Sequence, residues 1–462
     1  MRSAVLAVAA LLVASCAVHR PAMPAPAAAA APILDSRALA ASWDAEHVSR
    51  PLPPLVRHRD VVAWLEQLSS PGDGLFATEE VGRSVEGRSI NHVAFGRGPF
   101  HVLLWSQMHG DEPTATVALF DLFDYVRRHR NEPPVRMLLE RLTVHAIPML
   151  NPDGAERFQR RNAQGIDVNR DALLLQTPEG RALKTLRDRL NAPVGFNLHN
   201  QNWKTSAGKS GEPATISLLS VAFDAARSEN AGRVRTKKIC ALIRDALEPL
   251  APGRIARYDD EFEVRAFGDN ITKWGTSVVL IETGGWPGTA PDRALVRLNF
   301  VALAAALEAL ATSEVDRADV RRYDSLPLND SFTFYRLIQH ATIVVGNGVQ
   351  PYTGDVGLVA SRTVTTAGGE RQLHVMTRID DVGDLRVFGA LETIDARGLT
   401  LAPSFDASLE AGDEVQLPDW TDWTGNTIAV GQPGAMVLLR PSSGAKFRVE
   451  RVFKADQRET GQ

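Results

Sequence analysis

Residues 102–126 constrain the fold of this chain more than any other stretch. The apolar run Val102-Leu103-Leu104-Trp105 has the length and composition of a buried strand, and Ser106-Gln107-Met108-His109-Gly110-Asp111-Glu112-Pro113 follows it. Beyond Pro113, Ala115, Ala118, Leu119, Leu122, Phe123 and Val126 recur with a helical period. Proline suits a helix start, because its missing N–H would find no partner there. The pattern is strand, tight turn, helix, with His109 and Glu112 at the junction. Side chains so placed are held by two rigid elements and face a strand-end crevice, where α/β sheets bind ligands. A surface histidine beside a helix-start glutamate has the same H-x-x-E spacing, so the remainder of the chain must decide.

At 462 residues the chain exceeds one ordinary core, and two domains are expected. Its 51 Lys and Arg against 55 Asp and Glu leave a net charge of −4 and no basic footprint for nucleic acid. Arg2, the apolar stretch from Ala4 to Ala14 and then Ser15-Cys16 have the character of a secretory signal too short to span a bilayer. Leu12-Val13-Ala14-Ser15-Cys16 resembles a bacterial lipoprotein box. Residues 1–16 are therefore expected to be a signal peptide, with Cys16 lipidated and the mature protein held in the cell envelope. Ala17, where an inner-membrane lipoprotein would carry Asp, points to the outer membrane facing the periplasm. Cys240 is then the only other cysteine, which excludes an intramolecular disulfide. Residues 17–35 read as a Pro/Ala tether.

From residue 36 to about 315 strand and helix patterns alternate, as in an α/β sheet. Helices are expected over Asp60–Leu68, Thr114–Arg130 and Arg297–Ala311. Strands are expected over Ile90–Phe95 and Phe100–Trp105, paired with each other, and over Leu142–Met149, Val194–Leu198 and Ser277–Ile281. Asn151-Pro152-Asp153-Gly154 is a strong turn signal. From about residue 320 the pattern changes to short strands separated by Gly and Asp turns: Ala341–Val345, Val356–Ala360, Gln372–Arg378, Leu385–Phe388, Met436–Leu439 and Phe447–Phe453. This reads as an all-β domain over residues 320–462.

Catalytic zinc commonly takes three protein ligands and keeps a fourth position for water, with His2Glu a standard set. His109 and Glu112 supply two; His199, ending the apolar run Phe196-Asn197-Leu198, offers the third. Glu282 ends the buried run Val278-Val279-Leu280-Ile281, where a carboxylate is costly without a purpose. Beside a polarised water it could take a proton and return it to a leaving amine. The loop Arg160-Arg161-Asn162-Ala163-Gln164-Gly165-Ile166-Asp167-Val168-Asn169-Arg170 suits an anion and a developing oxyanion, although a solvated basic loop has the same composition.

In order and spacing these motifs resemble the zinc carboxypeptidase family (carboxypeptidase A-like, peptidase family M14) over residues 50–312. The resemblance implies a mixed eight-stranded sheet flanked by helices. It implies one zinc per chain held by His109, Glu112 and His199, Glu282 as general base and Arg160 polarising the scissile carbonyl. It further implies Asn169 and Arg170 on the terminal carboxylate of a peptide substrate, and Asp167 orienting a ligand histidine. The family's mobile tyrosine corresponds to Tyr258, slightly out of register. Asp269 either selects a basic side chain or caps a helix starting at Asn270. The C-terminal segments Ala341–Gly346, Gly354–Leu358, Gly383–Pro403 and Thr427–Leu439 resemble the small β-sandwich of amidohydrolases, without the histidines that follow its Pro. The expected whole is a lipid-anchored zinc metallocarboxypeptidase acting on peptides or murein peptides, with a sandwich that performs no chemistry. A zinc deacylase of the succinylglutamate desuccinylase kind and a non-catalytic envelope binding lipoprotein are the alternatives.

Overall fold

A computed structural model describes residues 35–459 apart from Pro71, Thr289, Asn347, Thr421 and Asp422. Cys16, the signal peptide and nearly all of the tether lie outside these residues. Asp35, at the tether's end, caps the first helix by accepting the Arg37 N–H at 2.8 Å.

The first sheet comprises β1 (Phe76–Arg83), β2 (Ser89–Gly96), β3 (Phe100–Ser106), β4 (Leu142–Ile147), β5 (Val194–Asn200), β7 (Ile216–Ser220), β8 (Ile255–Arg257) and β9 (Ser277–Thr283), with β6 (Ser206–Ala207) apart. Their spatial order is β1-β2-β4-β3-β5-β9-β7-β8. β4, β3, β5 and β9 are mutually parallel, so their carboxyl ends share one rim. The expected direct pairing of β2 with β3 does not occur: β4 lies between them, antiparallel to β2 and parallel to β3. Adjacent apolar strands give the right elements but not their neighbours, because pairing is decided by the helix that brings β4 back.

The helices are α1 (Ser36–Glu46), α2 (His58–Ser69), α3 (Thr114–His129), α4 (Pro133–Arg141), α5 (Pro152–Arg157), α6 (Pro178–Leu190), α7 (Ala231–Leu247), α8 (Phe267–Lys273), α9 (Pro291–Thr312) and α10 (Arg321–Asp324). Strand alternation in β3 divides the core. Val102 and Leu104 face α3 and α9 among Leu119, Phe123 and Phe300, whereas Leu103 and Trp105 face α6 and α8 among Leu183 and Phe267. A strand buried on both faces needs apolar residues at every position, which is why this run lacks alternation. Asn151-Pro152-Asp153-Gly154 opens α5 and is not a free turn: Asn151 Oδ1 accepts the Gly154 N–H at 2.9 Å. A Cβ built on Gly110 would lie 2.0 Å from the Gly154 carbonyl carbon. Glycine there lets the turn after β3 touch the turn after β4.

The second, nine-stranded sheet runs β16-β18-β17-β15-β11-β12-β13-β19, with β14 on β11. Its strands are β11 (Thr333–Ile343), β12 (Tyr352–Ala367), β13 (Glu370–Gly383), β14 (Gly389–Asp395), β15 (Thr400–Pro403), β16 (Glu414–Gln416), β17 (Met436–Pro441), β18 (Lys446–Phe453) and β19 (Asp456–Glu459). β10 (Asn329–Asp330) precedes it and pairs with β6. All nine strands belong to one hydrogen-bonded network that forks at β11. Leu385–Phe388 is not a strand; it forms a turn, closed by the Phe388 N–H on the Leu385 carbonyl (3.0 Å), whose Leu385 is buried against Phe334 and Leu337.

β12 and β13 form a long arm closed by Gly368-Gly369, whose φ values of +59° and +84° suit a tight hairpin turn. Near its tip Arg371 donates to the carbonyls of Val56 (2.8 Å), Ala155 (2.6 Å) and Glu156 (2.5 Å). Midway, Arg362 donates to both carboxylate oxygens of Asp292 (2.7 and 2.9 Å) and to Glu459 (2.9 Å). The arm is thus fastened to the first sheet's surroundings at two places.

Candidate active site

Four of the expected functional groups stand on the shared rim of the parallel strands. His109 and Glu112 follow β3, and His199 and Glu282 occupy the last turns of pleat in β5 and β9, where they are register partners. That register explains why both close largely apolar strands: His199 follows Phe196-Asn197-Leu198, with Asn197 itself buried, and Glu282 follows Val278–Ile281.

His109 Nδ1 lies 2.8 Å from Glu112 Oε1, and His199 Nδ1 lies 2.6 Å from Glu112 Oε2. The ligand atoms of the three residues fall within 4.8 Å of one another, and all three are buried. Asp167 Oδ1 is 3.2 Å from His109 Nε2, where it orients the ring and its tautomer. Arg160 reaches across the group, donating from Nε to Asp167 Oδ2 (3.0 Å) and from Nη1 to Glu112 Oε1 (3.4 Å).

The electrostatics favour a cation among these donors. Burial works against an imidazolium at His109, yet Glu112 and Asp167 outweigh it and push the ring up to about 9. Burial also opposes ionisation of Glu112, but the two histidines hold it well below the usual carboxylate range. One buried carboxylate, Glu112, with two converging imidazoles forms a His2Glu donor set of the kind that suits zinc. Burial, reinforced by Glu112, raises Glu282 well above an ordinary glutamate, against the pull of Arg160.

Arg170 and Asn169 lie on the loop after Asp167. Arg170 Nη1 donates to the Asn169 carbonyl at 3.0 Å, and Asn169 Oδ1 accepts the Phe267 N–H at 2.9 Å, tying the loop to the start of α8. Tyr258 follows β8. Burial raises its hydroxyl, and Glu282, Glu112, Arg170 and Arg160 are all close enough to act on it, so the structure brings this tyrosine to the site. Asp269 does not cap a helix starting at Asn270. It sits inside the first turn of α8, whose N-cap is Ala266, and accepts the Glu263 N–H at 3.0 Å. Burial pushes Asp269 up to about 7. Sequence reasoning missed Glu263, whose Oε2 lies 3.3 Å from Arg170 Nε. The only signal was its place in the acidic run from Asp259 to Glu263, which singles out no member.

Residues 61–231 match the family model of the zinc carboxypeptidases. Over this segment the chain is similar to the zinc carboxypeptidases. Over 93 residues it is 36% identical to carboxypeptidase SOL1 of Arabidopsis thaliana, covering 18% of this chain and 19% of that protein. Over 185 residues it is 29% identical to the human carboxypeptidase N catalytic chain, covering 35% and 38%. The chain spans less than two-fifths of either relative. A metallo-carboxypeptidase structure from Burkholderia cenocepacia aligns at 20% identity with a TM-score of 0.44, over 54% of this chain and 67% of that one. The family implies zinc, and His109, Glu112 and His199 fall inside the matched carboxypeptidase segment. Tyr258, Asp269 and Glu282 lie beyond it, as does the whole second sheet, so their assignment rests on position in the fold.

Proposed function

We propose that this protein is a zinc-dependent metallocarboxypeptidase that removes the C-terminal residue from peptides or murein peptides in the cell envelope. The observation that carries the reading is the pairing of Glu282 with His199 on adjacent parallel strands, beside a buried His2Glu set. His109, Glu112 and His199 would hold the metal, which when bound supplies Lewis-acid polarisation and acidifies a water. Glu282 takes the proton of the attacking water and returns it to the departing amine. Arg160 offers its guanidinium to the oxygen that gains charge, and Asp167 keeps it aimed. Arg170 receives the substrate's terminal carboxylate. The finer reading also gives Cys16 a lipid and the enzyme a membrane anchor, supported by the Leu12–Cys16 box; an unmodified N-terminus in an intact-mass measurement of the mature protein excludes it.

The experiment compares a peptide bearing a free C-terminal acid with its amide. The acid is expected to be cleaved faster by at least about tenfold, since a charge-assisted contact contributes roughly 1.5–3 kcal/mol. Equal rates would assign an endopeptidase or amidase instead. The acid's advantage should depend on pH. Asp269 is protonated below about 7 and becomes an anion near Arg170 above it. Ionised, it repels the substrate carboxylate, so the KM for the acid should rise as pH passes 7. Asp269→Asn should flatten that rise.

A further inference from the structure

A cavity of about 300 Å³ opens on the Glu112 side of the metal ligands, and both parts of the chain line it. Asp111, Glu112, Asn200 and Trp203 come from the first sheet's rim; Ser361 and Arg362 come from β12. Its volume is at the small end of the roughly 300–1,000 Å³ of ligand sites. The carboxylate-binding group of Arg170, Asn169 and Tyr258 does not line it among the described residues. With the substrate's terminal carboxylate at Arg170, the cavity lies toward the other half of the peptide.

Two features suit it to a peptide backbone. Asp111 Oδ1 and Asn200 Oδ1 are buried in its wall with no hydrogen-bond partner. Asn200 donates from Nδ2 to Thr114 Oγ1 at 2.7 Å, which turns its carbonyl oxygen the other way. Buried acceptors without partners cost stability unless a ligand or water supplies donors. The opposite wall is built to stay in place. Arg362 lies 4.8 Å over the Trp203 ring while paired with Asp292 and Glu459, and Trp203 stacks on Tyr335 at 5.5 Å. Trp203 is four residues past His199, so a substrate at 3.3–3.6 Å per residue meets this wall within about four residues.

We propose that β12 forms the far wall of a substrate subsite on the side of the cleft away from Arg170. The subsite takes a short extended peptide segment preceding the scissile bond, whose N–H groups pair with Asp111 and Asn200. The proposal rests on the carboxypeptidase reading. It makes the second sheet a specificity element for the residues before the cut.

Ser361 is exposed on this wall, so enlarging it tests the subsite without disturbing a core. Full-length wild type, Ser361→Trp and Ser361→Tyr are assayed on two N-acylated substrates with the same last two residues. One has a single residue before the scissile bond and the other has four. The ratio of kcat/KM, long over short, is expected to fall at least tenfold in the Trp variant and less in the Tyr variant, with Tm within a few degrees of wild type. An unchanged ratio in both folded variants overturns the subsite. Wild type that cleaves neither substrate overturns the carboxypeptidase reading and the subsite with it, which separates the two failures.

Discussion

Glu282→Gln is expected to lower turnover by roughly 10²–10⁴-fold, the usual range for a lost acid–base group, while zinc content stays at the wild-type level. The substitution keeps side-chain shape and removes the carboxylate that would accept a proton. Glu282 lies on β9 opposite His199 and, among the described residues, is not one of the three converging donors. Burial disfavours its charge, so the neutral amide suits the surroundings and folding should be preserved. Turnover with elemental analysis of the same preparation decides the matter. Near-full activity at full zinc content would remove Glu282 from the mechanism; loss of zinc would make it a ligand.

His109→Ala should abolish stoichiometric zinc, and with it activity, because it removes one of three converging donors and leaves Glu112 facing a single imidazole. Asp167→Asn provides the graded comparison. Asp167 is no ligand itself but holds the far nitrogen of His109, Arg160 and the Asn169 N–H (2.9 Å), so its replacement should weaken zinc affinity by the roughly 10–100-fold typical of such supporting groups. Competition with a chelator distinguishes the two. Equal zinc retention by wild type and His109→Ala would sink the ligand assignment.

Much of the site is legible in the sequence, for a specific reason. β3, β5 and β9 are buried on both faces and so read as largely apolar runs, and polar residues mark their rim ends: His109 just past β3, His199 in β5 and Glu282 in β9. His109, His199 and Glu282 could therefore be picked out one at a time, and Asn151 to Arg170 could be recognised by composition. The residues that escaped have no such local mark. Glu263 is one acid in a run of acids until folding sets it against Arg170. Asp269 looks like a helix cap until α8 starts at Phe267 and places it within the first turn.

The sequence by itself determined β2, β3, β4, β5 and β9 of the first sheet, though not β1, β7 and β8, together with the identity of the metal-ligand candidates and the change to β structure after residue 320. Each of these is written in short-range periodicity or in the residue that ends an apolar run. Only the tertiary structure decided that β4 separates β2 from β3, that the strands of the second sheet join in one forked network, and that β12 reaches the cleft. Those features depend on contacts between residues far apart in the chain, such as Arg362 with Asp292 and Arg371 with Ala155. A single guanidinium gives no sign in sequence of which distant carboxylate or carbonyl it will meet, because the meeting is fixed by packing of the whole sheet and not by neighbours along the chain.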